Sequence, residues 1–180
     1  VRGLGDVYKR QIYLGTARGG LYRTTNNGEL WFPINNGIEY INGEYFNSIC
    51  IDSNNIMYVG TSYNQIYKST DLGMNWVRKS NGLPNARIEQ IQCNKIGYTF
   101  AVVSYNGIYR SKDNADNWIN ITSGIGSTFD TNIAVNSKDV LFISTTNGGI
   151  FQSLDDGDTW KSINYGLPIL NCTIVNLIND

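Results

Sequence analysis

The sequence predicts an all-β chain made of repeated four-stranded units, and three observations carry that expectation. An octet of fixed character recurs four times, at 24–31 (TTNNGELW), 69–76 (STDLGMNW), 111–118 (SKDNADNW) and 153–160 (SLDDGDTW). The closing tryptophans, Trp31, Trp76, Trp118 and Trp160, are spaced 45, 42 and 42 residues apart. Between the octets, segments of four to six residues alternate at period two, are rich in Val, Ile, Tyr and Phe, and are punctuated by Asn, Gly, Ser and Asp, which is the pattern of short strands and tight turns.

Composition agrees. The chain has 180 residues, 41% of them hydrophobic and 16% charged, so it can bury a core and is too poor in charge for a disordered tail. Its 12 Tyr, 4 Trp and 19 Gly suit strands joined by turns. The net charge of −1, with no Lys/Arg run, lacks the footprint of a nucleic-acid or acidic-membrane binder. No apolar run approaches the roughly 20 residues that cross a bilayer.

Taken in order, each unit runs through an apolar segment, a polar turn, a second apolar segment, a Gly or Asn turn, an aromatic-containing segment, the octet and a closing strand. The second unit reads NSICID, SNN, IMYVGT, SYN, QIYKS, TDLGMN, WVRKSNGLP; the third and fourth repeat it from IEQIQC and from TNIAV. Four antiparallel strands at a period of 42 fit the blade of a β-propeller, whose repeats run about 40–50 residues. A helical solenoid would need a 3.6-residue period, which is absent. The expected blades are 12–38, which lacks its first strand, then 39–84, 85–126 and 127–168, with 169–180 opening a further blade. Residues 2–11 (RGLGDVYKRQ) back-translate to what looks like a DNA-sequencing adapter, so 1–11 is expected to be an artefact.

The octets resemble the Asp-box, or BNR, repeat S-x-D-x-G-x-T-W of sialidases, xyloglucanases, sortilin-type receptors and photosystem II assembly-factor propellers. The run MYVGT…IYKSTDLGMNW…NGLP is most similar to arrays in secreted bacterial proteins, and the resemblance extends from about Ile12 to Pro168. It implies a bacterial, secreted or cell-surface protein without a cofactor. It also implies a propeller of six or more blades of which this chain is a part; closure as four blades, with 172–178 beside 12–16, is the alternative.

The chemistry of the octet is that of a hairpin between third and fourth strands. The carboxylate of an Asx turn accepts backbone N–H groups, Gly supplies a positive φ, Ser adds a local bond and Trp buries apolar surface. Ser153, Asp155, Gly157, Thr159 and Trp160 match in full. Ser69, Asp71, Gly73 and Trp76 match with Asn75 in place of Thr; Ser111, Asp113 and Trp118 match with Ala115 in place of Gly, at a cost of about 1 kcal/mol if that residue is left-handed. Asn26, Gly28 and Trp31 form the weakest copy, with Leu30 where Thr is usual. The Asp155-Asp156-Gly157-Asp158 run lacks the ligand ladder and distal Glu of a calcium loop, so no metal is expected.

Function is expected at the opposite face. Strand alternation places the octets with the first-to-second strand turns, and the second-to-third turns with the blade connections. The second set carries Arg18, Tyr63, Tyr105 and Asn147, together with Glu39, Tyr40, Asn42, Glu44, Tyr45, Asn85, Arg87, Asp130 and Tyr165. Arg18, Tyr40, Tyr45, Tyr63, Arg87, Tyr105 and Asn147 are the candidate binding residues for a polysaccharide or another protein. Glycoside hydrolysis, the alternative the resemblance implies, needs two carboxylates about 5–9.5 Å apart, and Glu39, Glu44 and Asp130 are the candidates. A solvated rim without a ligand is equally compatible with these residues. The absence of His excludes Ser/His/Asp and Cys/His catalysis and Cys/His zinc sites. Cys50, Cys93 and Cys172 are each expected as a free, buried, small hydrophobe.

Overall fold

The computed structural model of the chain describes residues 11–39, 45–126, 131–173, 175 and 176. All of its regular structure is β, in four antiparallel sheets whose strands follow one another in chain order. The first sheet has three strands, β1 (Ile12–Gly15), β2 (Leu21–Thr24) and β3 (Phe32–Pro33). The second has β4 (Phe46–Ile51), β5 (Met57–Thr61), β6 (Ile66–Ser69) and β7 (Val77–Arg78). The third has β8 (Ile88–Cys93), β9 (Thr99–Val103), β10 (Gly107–Ser111) and β11 (Ile119–Asn120), and the fourth has β12 (Asn132–Val135), β13 (Leu141–Thr145), β14 (Gly149–Ser153) and β15 (Lys161–Ser162). Ladder pairs recur at the sequence period: Ile49 faces Val59, Ile91 faces Ala101 and Ile133 faces Ile143. The described residues include no helix long and apolar enough to cross a membrane.

The apolar cores lie between sheets. β5 and β9 are buried along their whole length, and successive side chains go to opposite neighbours, as period-two alternation requires. Met57 and Val59 join Leu21, Ile34 and Ile38 of the first sheet and Trp76 of their own; Tyr58 turns the other way, to Ile88, Ile91, Ala101 and Trp118. Phe100 and Val102 then pack with Ile133, Leu141 and Ile143. This is why segments such as MYVGT and TFAVV read as continuous apolar runs.

The innermost strands are tied sideways by one recurring device. Ser48 Oγ donates to the Ile91 carbonyl (3.3 Å) and accepts the Ile91 N–H (3.1 Å). At the next interface Gln90 Nε2 donates to the Ile133 carbonyl (2.9 Å) while Gln90 Oε1 accepts the Ile133 N–H (2.8 Å). Asn132 Oδ1 accepts the Val175 N–H (3.3 Å), so the described part of the 169–180 stretch runs beside β12 where a further inner strand would lie.

One expectation is overturned. Cys50 and Cys93 are not free: they form a disulfide between the ends of β4 and β8, with Cα atoms 6.0 Å apart. Each cysteine sits in an apolar strand, as the sequence indicates, but side-by-side packing of inner strands brings positions 43 apart into contact. Cys172 carries a free thiol and is half-buried.

Candidate functional site

The octets form the hairpins between the last two strands of each sheet, and their polar groups are consumed locally. Ser153 Oγ donates to Asp155 Oδ1 (2.7 Å) and accepts the Gly157 N–H (2.8 Å). Asp155 Oδ1 accepts the Thr159 N–H (2.9 Å) and Oδ2 accepts the Thr159 hydroxyl (2.6 Å). Asn75 and Asn117 replace that hydroxyl with their side-chain amides, at 2.7 Å from Asp71 and 2.8 Å from Asp113. The side-chain bond from Thr159 holds the Asp155 carboxyl at about 2, the Asn117 amide does the same for Asp113, and Asn75 lowers Asp71. In the first copy Asn26 Oδ1 accepts the Leu30 N–H (3.1 Å), but Leu30 has no side-chain donor to add. Among the described residues no cluster of three or more His, Cys, Asp or Glu could hold a metal ion.

The second, third and fourth octets also fasten their sheets to the one before. The indole N–H of Trp76 donates to the Ile34 carbonyl (2.8 Å), that of Trp118 to Lys79 (2.9 Å) and that of Trp160 to Ile121 (2.8 Å). Arg23 reaches the Leu72 carbonyl (3.2 Å), and the buried Arg110 reaches the Asp156 carbonyl and Asp158 Oδ1, both at 2.8 Å. The fifth octet position has positive φ throughout, including Ala115 at 67°. Where the preceding sheet presents Ile34 or Ile121, that position is Gly73 or Gly157, and an added Cβ would meet the isoleucine Cδ1 at 2.8 or 2.4 Å. Where it presents Lys79, whose amine pairs with Asp116, the octet carries Ala115.

The second-to-third strand turns and the blade connections build a different kind of surface. The Arg18 guanidinium stacks on the Tyr45 ring, 5.5 Å from its centroid, and the Tyr45 N–H donates to Ser62 Oγ (3.1 Å). β4 and β8 each carry a bulge at their start, between Phe46 and Ser48 and between Ile88 and Gln90. The bulged residues are Asn47 and Glu89, and a bulge re-aims the side chain it carries. Arg87 gathers both: its Nε lies 3.0 Å from Glu89 Oε2, and its Nη2 donates to Asn47 Oδ1 (3.4 Å). Ser104 Oγ closes the group on Glu89 Oε1 (2.8 Å). Ala86, Arg87, Glu89, Ser104, Tyr105 and Asn106 line an open cleft of about 460 Å³.

Of the residues named from sequence, Arg18 and Tyr45 are thus in contact, and Arg87 and Tyr105 share the cleft. Tyr63 (64% exposed) and Tyr105 (72%) project from equivalent turns of successive sheets, and Asn147 is exposed on the next. Glu39 is exposed and its carbonyl accepts the Tyr67 hydroxyl (3.4 Å). Tyr40, Glu44 and Asp130 lie outside the described residues. Asn47, Glu89 and Ser104 were missed by sequence reasoning, because period-two alternation assigns them to a plain strand and turn and carries no sign of a bulge.

No family model matches the chain, and no curated protein matches its sequence. Solved structures do. "YCF48 bound to D1 peptide" aligns with a TM-score of 0.62 at 19% identity, covering 84% of this chain and 50% of that one. The GH74 xyloglucanase from Xanthomonas campestris aligns at 0.70 and 15%, covering 89% and 29%. The GH74 enzyme of Niastella koreensis aligns at 0.65 and 22%, covering 84% and 27%. The fold is that of β-propeller blades. The chain spans half or less of each of these proteins, and at such identities the likeness concerns the fold alone.

Proposed function

We propose that the chain is part of an Asp-box propeller, exported from a bacterial cell, that binds a polysaccharide or a protein segment through the rim formed by Arg18, Tyr45, Asn47, Arg87, Glu89 and Ser104. The observation that carries this reading is the pair of bulges that aim Asn47 and Glu89 at Arg87, in a cleft shared with the exposed Tyr105. Rings that stack, amides and a paired charge suit recognition by hydrogen bonding and contact. The octet bonding pattern supports the Asp-box assignment, and the Cys50–Cys93 disulfide supports an oxidising compartment. Two of the similar folds are named for a bound peptide and for a xyloglucanase, which makes both ligand classes reasonable probes. Hydrolysis has less support: the described carboxylates of this face are Glu39 and Glu89, and Glu89 is occupied by Arg87 and Ser104.

The test is binding of soluble xyloglucan and of an immobilised peptide library to the wild type and to Tyr45→Ala and Arg87→Ala. Binding to one class that drops at least tenfold in both variants, without release of reducing sugar, is the expected result. Equal binding by both variants would sink the site, and reducing-sugar release would replace the binding role with an enzymatic one.

A further inference from the structure

Asn47 and Cys50 lie three residues apart on β4, and Glu89 and Cys93 lie four apart on β8, with Arg87 just before that strand. The two strands are joined by a run of lateral rungs. Asn47 Nδ2 donates to the Ile88 carbonyl (2.8 Å), Ser48 bridges to Ile91, Cys50 is bonded to Cys93, and Ser53 Oγ donates to the Lys95 carbonyl (2.9 Å). The disulfide is the covalent rung of this run, and the proposed binding rim is its other end.

The interface is polar beside the disulfide. Across the ladders Cys50 faces Tyr58 and Cys93 faces Thr99. The Tyr58 and Thr99 hydroxyls are buried there beside one another, and Asp52 Oδ2 is buried without a hydrogen-bond partner among the described residues. At the next interface the equivalent ladder partners are Phe100 and Leu141, both fully buried and apolar. Beside the disulfide the second and third blades thus meet through buried polar groups, where the third and fourth meet through apolar ones. The disulfide is also reachable. Both cysteines are half-buried, and Cys93 lines an open cleft of about 460 Å³ with Asp52, Asn94 and Lys95.

We infer that the Cys50–Cys93 disulfide is a reducible lock that sets the alignment of β4 on β8 and thereby the placement of Asn47 against Arg87 and Glu89. The inference rests on the rim being the binding site. Opening is ordinary exchange with a small dithiol: one thiolate attacks a sulfur and forms a mixed disulfide, and the second thiol displaces it. The reductant leaves as a cyclic disulfide, and its two electrons and two protons end on Cys50 and Cys93 as thiols. With the lock open, hydrogen bonds and apolar packing alone hold the rim in register.

Hydrogen exchange of the full chain, oxidised and after reduction by dithiothreitol, tests this together with binding of soluble xyloglucan. Cys50→Ala/Cys93→Val serves as a second opened form, since it installs the residues that β12 carries at the two register positions, Ala134 and Val135, and is expected to fold. The expected result is at least tenfold faster exchange at 45–48 and 87–90 in both opened forms, little change at 132–135, and a loss of xyloglucan affinity of similar size. Unchanged exchange in the reduced protein and the double variant would overturn the lock. Faster exchange with unaltered affinity would overturn its control of the rim. Faster exchange with no xyloglucan binding in any form would uphold the lock and count against that polysaccharide as the rim's ligand.

Discussion

Gly157→Ala tests whether the octets fasten one blade to the previous one or merely turn the chain. The backbone at Gly157 has φ of 93°, beyond the left-handed region where an L-residue is tolerated, and that conformation costs about 1–2 kcal/mol for alanine. The new methyl would lie 2.4 Å from Ile121 Cδ1 across the blade interface, and crowding of this kind in a packed core costs about 1–3 kcal/mol. The expected destabilisation is therefore about 2–5 kcal/mol, read as the shift in urea midpoint at constant m-value. Ile121→Val removes the crowded Cδ1 and alone should cost about 0.5–1.5 kcal/mol. Combined with Gly157→Ala it should be neutral or stabilising, giving a coupling of about 1 kcal/mol or more. The reverse change, Ala115→Gly, relieves about 1 kcal/mol of backbone strain and gives up a buried methyl worth about 0.8 kcal/mol, so it should be close to neutral. Strict additivity of the two changes, or a Gly157→Ala cost under about 0.5 kcal/mol, would refute the fastening role.

The remaining expectations are simpler. Because the Asp113 and Asp155 carboxyls are depressed to about 2 when folded, their stabilising contribution is complete above the unfolded value near 3.9 and is lost as pH falls through about 2. Thermal melts of Asp113→Asn/Asp155→Asn should be flatter between those limits than the wild type, and an equally steep loss would contradict the assignment. Reduction of the disulfide, which closes a separation of 43 residues, should lower stability by up to about 4 kcal/mol by the chain-entropy relation, measured by urea titration with and without dithiothreitol. Trp118→Phe keeps a ring but strands the Lys79 carbonyl, and should cost about 1 kcal/mol from the lost bond alone, visible as a lowered midpoint. Glu89→Gln removes a partly exposed pair with Arg87 and should change stability by no more than about 1 kcal/mol while altering binding at the rim.

How much of this could be read in advance differs between fold and site. The strands, their order and the octet hairpins follow from period-two alternation and a spacing of 42, since each short strand has its apolar faces written into it. The left-handed backbone at Ala115 could also be anticipated, because its place in the octet is the one that Gly holds elsewhere. The disulfide could not. Cys50 and Cys93 occupy adjacent but not equivalent register positions, and only the sideways packing of β4 on β8 joins them. The rim was half legible: Arg18, Tyr45, Arg87 and Tyr105 stand out as polar or aromatic residues in loops, whereas Asn47 and Glu89 depend on bulges that leave no mark in composition. Asn75 and Asn117, which look like departures from the octet pattern, turn out to supply the same bond as Thr159 through a longer side chain.

The placement of every core between two blades makes this molecule modular in an unusual sense, because no blade owns the material that stabilises it. Tyr58 and Met57 are neighbours in sequence yet belong to different cores. A proteolytic cut or deletion that removes one blade therefore strips apolar cover from its neighbour, and unravelling is expected to proceed stepwise from an exposed end. By the same logic, duplication of one whole 42-residue unit in register lengthens the arc without requiring any contact the chain does not already make. Growth by copying, rather than by invention of new interfaces, is the evolutionary path such a chain leaves open.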